Sequence, residues 1–405
     1  MHKKNLYFRV FIILSLFIMS ASLSFAGGSS EQMPEESAGE QQGSRQKEAG
    51  SQQAPASLDR TTITRAKHLS IEYFDGYKVL TVTNPWQNSD RTFVYVLYQH
   101  GNQKPEGYEN AVFVEVPVQS MVTMSTTYIA YMETLGVLDA LAGVDNFQFI
   151  YSQQVRKMID NGDVKQVGSG PEVNVELLYE MEPDVIMTYG LGTQWDTHPK
   201  LVEAGLDVVI NAEHTELTPL ARSEWIKFIA AFFDKEEEAN RIFQEMVDRY
   251  SSMREMAGGV EERPTVLNNA PYQGSWWVAG GRSHAARLIE DAGGDYLWSD
   301  TEEEGSLMLD FEAVFEKAVD ADYWINPGTW GSLDEALAED SRYAEFKAFQ
   351  EGNVYNNNRR MNEYGFSDYW ESGVTNPDII VADLIKIFHP QLLPDHELVY
   401  FQKLE

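Results

Sequence analysis

The side chains best suited to chemistry in this chain are aromatics and arginines in turn-like segments. Phe149 and Tyr151, Tyr189, Tyr272 with Trp276, and Trp370 each fall in a segment that reads as a loop. Flat rings at such places suit stacking on a large planar or catecholate ligand, although each ring alone also suits ordinary packing. In a strongly acidic chain the pair Arg359-Arg360, after Asn356-Asn357-Asn358, stands out, and Arg222 and Arg282 also follow turn-like segments. A guanidinium fork grips carboxylates, either on a ligand or in a salt bridge.

Other chemistries find little support. The eight histidines are scattered; His389 and His396 are closest, but Pro390 and Pro394 keep them off one helical face, so no metal site is expected. Gly190-Leu191-Gly192 lacks a third glycine and Gly280-Gly281-Arg282 has no Walker lysine, which leaves no nucleotide fingerprint. There is no Gly-x-Ser-x-Gly elbow, and Glu302-Glu303-Glu304 lies in a solvated run. The glycine-containing turns Gly168-Ser169-Gly170 and Tyr189-Gly190-Leu191-Gly192 follow strand-like runs, where α/β folds place ligands. The expectation is a binding protein without catalytic residues or a cofactor.

The first 26 residues read as a signal peptide: Lys3, Lys4 and Arg9, an apolar run from Val10 to Met19, then Ser24-Phe25-Ala26. With no cysteine, neither a lipid-bearing Cys nor a disulfide is available. These features predict an exported, unlipidated protein of a periplasm. The formal charge of −32 becomes −35 once the signal's basic residues leave, and such acidity repels nucleic acid and anionic lipid. Residues 27–60, mostly Gly, Ser, Gln, Glu and Ala, read as a disordered linker.

Strands and helices must position the rings. Residues 61–115 predict a β extension, with an antiparallel meander between Leu69 and Tyr98 punctuated by Asp75-Gly76 and Asn84-Pro85. Short apolar runs then alternate with helical stretches, the signature of a parallel α/β sheet, giving an N-lobe over 116–235. A helical zone from Arg222 to Met256, broken near Asp234, gives an inter-lobe helix over 236–258. Alternation resumes through 259–405 as a C-lobe. The predicted class is α/β, two lobes joined by one long helix, with an N-terminal meander.

Several motifs resemble the iron-siderophore and cobalamin class of periplasmic solute-binding proteins. Thr126-Thr127-Tyr128 leads to Leu135-Gly136-Val137-Leu138-Asp139 and Gly143-Val144; Asn174-Val175-Glu176-Leu177-Leu178 leads to Glu182-Pro183-Asp184-Val185-Ile186. Leu201 to Val209, Leu309 to Val314, Ala321 to Ile325 and Val354-Tyr355-Asn356 are similar to later elements, so the resemblance spans roughly 115 to 400. It implies class III architecture with a ligand cleft between rigid lobes. It also implies a monomer that hands a small-molecule metal chelate to an ABC permease and its ATPase. Cleft positions it implies are Phe149, Tyr151, Gly170, Tyr189, Tyr272, Trp276, Arg359 and Trp370. Permease-docking acids would be Glu312 on the C-lobe and Asp196, where the family carries Glu, on the N-lobe. Gly170 stands where cobalamin binders tend to have an aromatic, so a siderophore-type iron chelate is the leading expectation; a cobalamin or haem carrier, or an enzyme on the same scaffold, are the alternatives.

Overall fold

The computed structural model describes residues 60–169 and 172–405; the expected signal peptide, nearly all of the linker, and Gly170 lie outside them. The first sheet is the meander. Strands β1 (Leu69–Tyr73), β2 (Tyr77–Thr83) and β3 (Thr92–Gln99) pair antiparallel, and β4 (Val112–Val116) adds parallel to β3.

The N-lobe is a five-stranded parallel sheet in the order β11-β10-β5-β6-β7. Its members are β5 (Met121–Thr123), β6 (Leu141–Val144), β7 (Lys165–Gln166), β10 (Val185–Thr188) and β11 (Val208–Ile210), with the small hairpin β8 (Gly168–Ser169) and β9 (Glu172–Val173) between. Strand β10, Val-Ile-Met-Thr, is buried throughout, as a strand covered on both faces must be. Crossover helices α1 (Thr126–Leu135), α2 (Gln153–Asn161), α3 (Val175–Met181) and α4 (His198–Glu203) are fixed by local signals. Gly136 ends α1 in the left-handed conformation, and the Asn174 side chain accepts from Leu177 N–H to cap α3.

Short helices α5 (Pro219–Glu224) and α6 (Ile226–Ala231) lead to Asp234, whose φ of 52° breaks the helical path. The break lies where the sequence places it. Beyond it α7 (Glu236–Gly258) runs 23 residues between the lobes, opening with three glutamates that suit the positive end of the helix dipole.

The C-lobe sheet has the order β15-β12-β17-β18-β19, built from β12 (Thr265–Asn268), β15 (Asp295–Tyr296), β17 (Tyr323–Ile325), β18 (Val354–Asn356) and an antiparallel edge, β19 (Gln402–Lys403). A second small sheet, β13 (Pro271–Tyr272), β14 (Ser275–Ala279) and β16 (Ser306–Leu309), stands beside it. Helices α8 (His284–Asp291), α9 (Phe311–Ala318), α10 (Leu333–Glu339), α11 (Lys347–Gln350) and α12 (Pro377–Phe388) complete the lobe, and Arg249 on α7 reaches Asp378 on α12 at 2.7 Å.

Each lobe has its own core, and the N-lobe core runs on into the meander. Leu80, Val82, Tyr95 and Leu97 belong to the same buried cluster as Tyr128, Trp225 and Phe228. The Tyr95 hydroxyl accepts from Ile210 N–H at 2.8 Å, and Lys78 of β2 reaches Asp234 and Glu236 at 2.8 and 2.5 Å. The meander is therefore packed structure of the N-lobe rather than an appendage.

Candidate ligand cleft between the lobes

A cleft opens at the carboxyl ends of β5, β6 and β10 of the N-lobe, against α8, α12 and the segment before α12 of the C-lobe, with about 1420 Å³ of space including its mouth. The N-lobe contributes Phe149 and Tyr189, each just past a strand, and the C-lobe contributes Phe366, Tyr369 and Trp370 from the segment between β18 and α12. Phe149 meets Phe366 edge-on at 4.6 Å across the gap, and Tyr369 meets Trp370 at 4.9 Å. Trp370 remains 41% exposed at the rim, so its ring has free area to offer.

Arg222 on α5 lies in the wall of this cleft. Its Nε donates to the Glu216 carbonyl at 3.1 Å and one Nη to the His214 carbonyl at 2.8 Å, which fixes the plane of the fork. The other Nη has no partner among the described residues. The half-buried cation shapes its surroundings. Burial, aided by the Arg222 charge, lowers His214 to about 4 and His284 well below an ordinary imidazole, so both cleft histidines are neutral. Burial pushes Glu213 upward, against the pull of Arg222 and a hydrogen bond from the Thr127 hydroxyl at 3.1 Å. An oriented guanidinium set among rings and neutral imidazoles can grip an anionic group on a largely apolar ligand.

The structure brings Phe149, Tyr189 and Trp370 together in this cleft and puts the other sequence-derived residues elsewhere, save Gly170, which lies outside the described residues. Tyr151 sits beneath the Arg360 guanidinium at 5.1 Å, in a clasp between the lobes beside the cleft. Tyr272 is on hairpin β13–β14, away from the lining. Trp276 requires a correction: pleat alternation on β14 points it inward, and it is fully buried against Trp324 at 5.4 Å. Arg359 is exposed, away from the lining, and its backbone N–H donates to Tyr400; its neighbour Arg360 pairs with Asp368 at 3.0 Å. Asp196 is also corrected. It is buried and accepts from Leu191 and Gly192 N–H, tying down the glycine turn after β10, so it presents no carboxylate to a partner. Glu312, by contrast, is exposed in the first turn of α9, 3.6 Å from Arg342.

A family model described as periplasmic binding protein matches residues 121–359, from β5 to the end of the Asn-rich turn. The chain belongs to the periplasmic binding protein family. Family members are the substrate-binding components of ABC transporters, working with a permease and an ATPase. An uncharacterized lipoprotein of Methanocaldococcus jannaschii is 28% identical over 305 residues, covering 73% of this chain and 71% of its own. A periplasmic binding protein of Veillonella parvula aligns with a TM-score of 0.53 at 15% identity over 80% of this chain and 98% of its own. The periplasmic heme-binding protein RhuT of Roseiflexus aligns at 0.52 and 17% identity, over 68% and 99%. At these identities the structural likeness shows the fold, two α/β lobes of class III. No helix among the described residues is long and apolar enough to cross a membrane.

Proposed function

We propose that the protein captures an anionic metal chelate, of the ferric siderophore type, in the inter-lobe cleft and delivers it to its permease. The observation that carries this reading is the juxtaposition of Arg222, with one Nη unpartnered, and the ring-lined shelf of Phe149, Tyr189, Phe366, Tyr369 and Trp370. The rings remove the ligand's apolar surface from water, and the guanidinium supplies direction and charge. Binding rather than turnover is the task, carried out by an exported monomer. The sequence holds no cysteine to carry a lipid, which sets this chain apart from its lipoprotein relatives and favours a freely diffusing periplasmic form.

A second reading, a haem carrier, is favoured by one observation: His214 and His284 are neutral imidazoles on the cleft wall, and a neutral imidazole is what haem iron ligates.

Thermal unfolding of the mature protein against ferric siderophores, ferric citrate, haem and cobalamin tests both. A ligand at ~100 times its dissociation constant adds ~2.7 kcal/mol. A shift with a ferric chelate that vanishes in Arg222→Ala is the expected result. A shift with haem alone that vanishes in His214→Ala or His284→Ala selects the second reading, and no shift with any of them overturns both.

A further inference from the structure

The turn between β2 and β3 reaches the cleft from outside the segment the family model matches. Trp86 anchors it. A Cβ on Gly190 or on Gly192 would come within 2.5 Å of the Trp86 ring, so those glycines form the slot in which the indole lies. His198 packs on the ring at 5.7 Å and the Arg91 guanidinium lies 5.6 Å over it. From this N-lobe anchor the turn extends across the gap until the Gln87 amide comes against Gly305 of the C-lobe.

Behind the turn is a second chamber, of about 1070 Å³ including its opening, which shares Arg222, His214 and His284 with the aromatic cleft. The two spaces are thus halves of one cavity, with Arg222 at the junction. Their linings differ in kind. In place of the rings, the second chamber presents the side chains of Gln87 and Asn88 on one side and Glu304 on the other. None of these three side chains makes a hydrogen bond within the protein among the described residues. The Asn84 amide, by contrast, is occupied with Ser89 N–H and His68.

We propose that the Trp86–Asn88 turn is a specificity wall of the ligand site. The chamber behind it receives an uncharged arm of the ligand that carries both hydrogen-bond donors and acceptors, such as an amide or hydroxylated chain. This rests on the chelate reading of the aromatic cleft. Gln87 and Asn88 amides meet the arm's carbonyl and N–H groups, while the Glu304 carboxylate accepts from a donor on the far side. A ligand without the arm gains none of these hydrogen bonds, which is how such a wall discriminates.

The test uses two anionic ferric catecholates, read by quenching of tryptophan fluorescence in the mature protein. Ferric catecholate, the complex of unsubstituted catechol, has no arm; ferric enterobactin carries backbone amides. Gln87→Ala and Asn88→Ala, each an exposed side chain off the Trp86 anchor, should weaken the enterobactin complex about five- to tenfold, the worth of roughly one hydrogen bond. They should leave the small complex within about twofold, while Arg222→Ala weakens both. Equal effects on the two complexes, or none, with Arg222→Ala still weakening both, would overturn the wall and leave the chelate reading standing. Binding of neither complex by the unaltered protein would instead count against the chelate reading itself, and the wall falls with it.

Discussion

The Glu371 carboxyl of the C-lobe accepts from the backbone N–H of Ser152 in the N-lobe at 2.7 Å, and its other oxygen accepts from Tyr151 N–H at the same distance. One buried acid thus clasps the start of α2 across the lobe boundary. Asn362 donates to the Gln148 and Ile150 carbonyls in the same seam. Burial pushes Glu371 up to about 8, despite the two N–H donors and with help from the Asp368 and Glu133 charges, whereas an ordinary glutamate ionises at 4.5. Between those values the folded protein holds a proton that the unfolded chain has lost, so the contribution is full below about 4.5 and declines as pH rises to about 8. The slope from this group approaches ~1.4 kcal/mol per pH unit at most. Denaturant unfolding from pH 5 to pH 8 should show stability falling with pH, and Glu371→Gln should flatten the fall. An unchanged slope in the variant would mean that Glu371 is ionised in the fold at neutral pH.

Docking to the permease should depend on one predicted acid and not on the other. Glu312 projects from the first turn of α9 and is free to meet an arginine of a partner, with Arg342 alongside; Asp196 faces inward. Charge reversal at an exposed interface contact changes association far more than fold. Glu312→Lys is expected to leave ligand affinity and thermal stability within error while reducing uptake, or transporter-stimulated ATP hydrolysis, by about tenfold or more. Asp196→Ala should do the opposite: by freeing the Leu191 and Gly192 N–H groups it destabilises by ~1–3 kcal/mol, with uptake per folded molecule unchanged. If the Asp196 variant is stable yet fails in uptake, the inward-facing assignment is wrong.

Periodicity made the framework legible. Strands β10, β11 and β12 and helices α7 and α9 lie where the apolar patterns place them, because buried parallel strands and amphipathic helices leave strong local signals. Of the cleft rings the sequence marked Tyr189, directly after β10, Phe149, in the turn beyond β6, and Trp370, in the loop before α12. Trp276 and Tyr272 misled because they lie on a small antiparallel sheet whose pleat, invisible in a short sequence run, turns Trp276 inward. Arg359 misled because the sequence marks a basic pair without saying which carboxylates surround it. The sequence marks Arg222 as a cation after a turn-like segment, but its place in the cleft wall comes from α5 folding back over the His214 and Glu216 carbonyls, a tertiary event. The meander's part in the N-lobe was hidden for the same reason, since its anchors are more than a hundred residues away along the chain.

The strongest of those anchors is Glu224, which is fully buried yet accepts from Thr64 N–H and hydroxyl at 2.9 Å each, Arg65 N–H at 2.6 Å, Ala66 N–H at 2.8 Å and Lys227 Nζ at 2.8 Å. One carboxylate on α5, two residues from Arg222, therefore holds down the irregular entry to the meander. Burial alone would raise its ionisation, but Lys227 and the backbone donors outweigh it and hold Glu224 below the ordinary glutamate value. Its contribution is accordingly complete above about 4.5 and lost as pH falls through the depressed value, opposite in sign to that of Glu371. Glu224→Ala strands a buried lysine and three backbone donors, for which a loss of ~3–5 kcal/mol is expected. Thr64→Ala removes a single hydroxyl donor and should cost under ~1.5 kcal/mol. Hydrogen exchange supplies the decisive readout: in Glu224→Ala the amides of β1 and β2 should lose protection together with those of β10 and β11. Selective loss in the meander alone would show that it unfolds as a separate unit, in which case the shared core with the N-lobe contributes little to either.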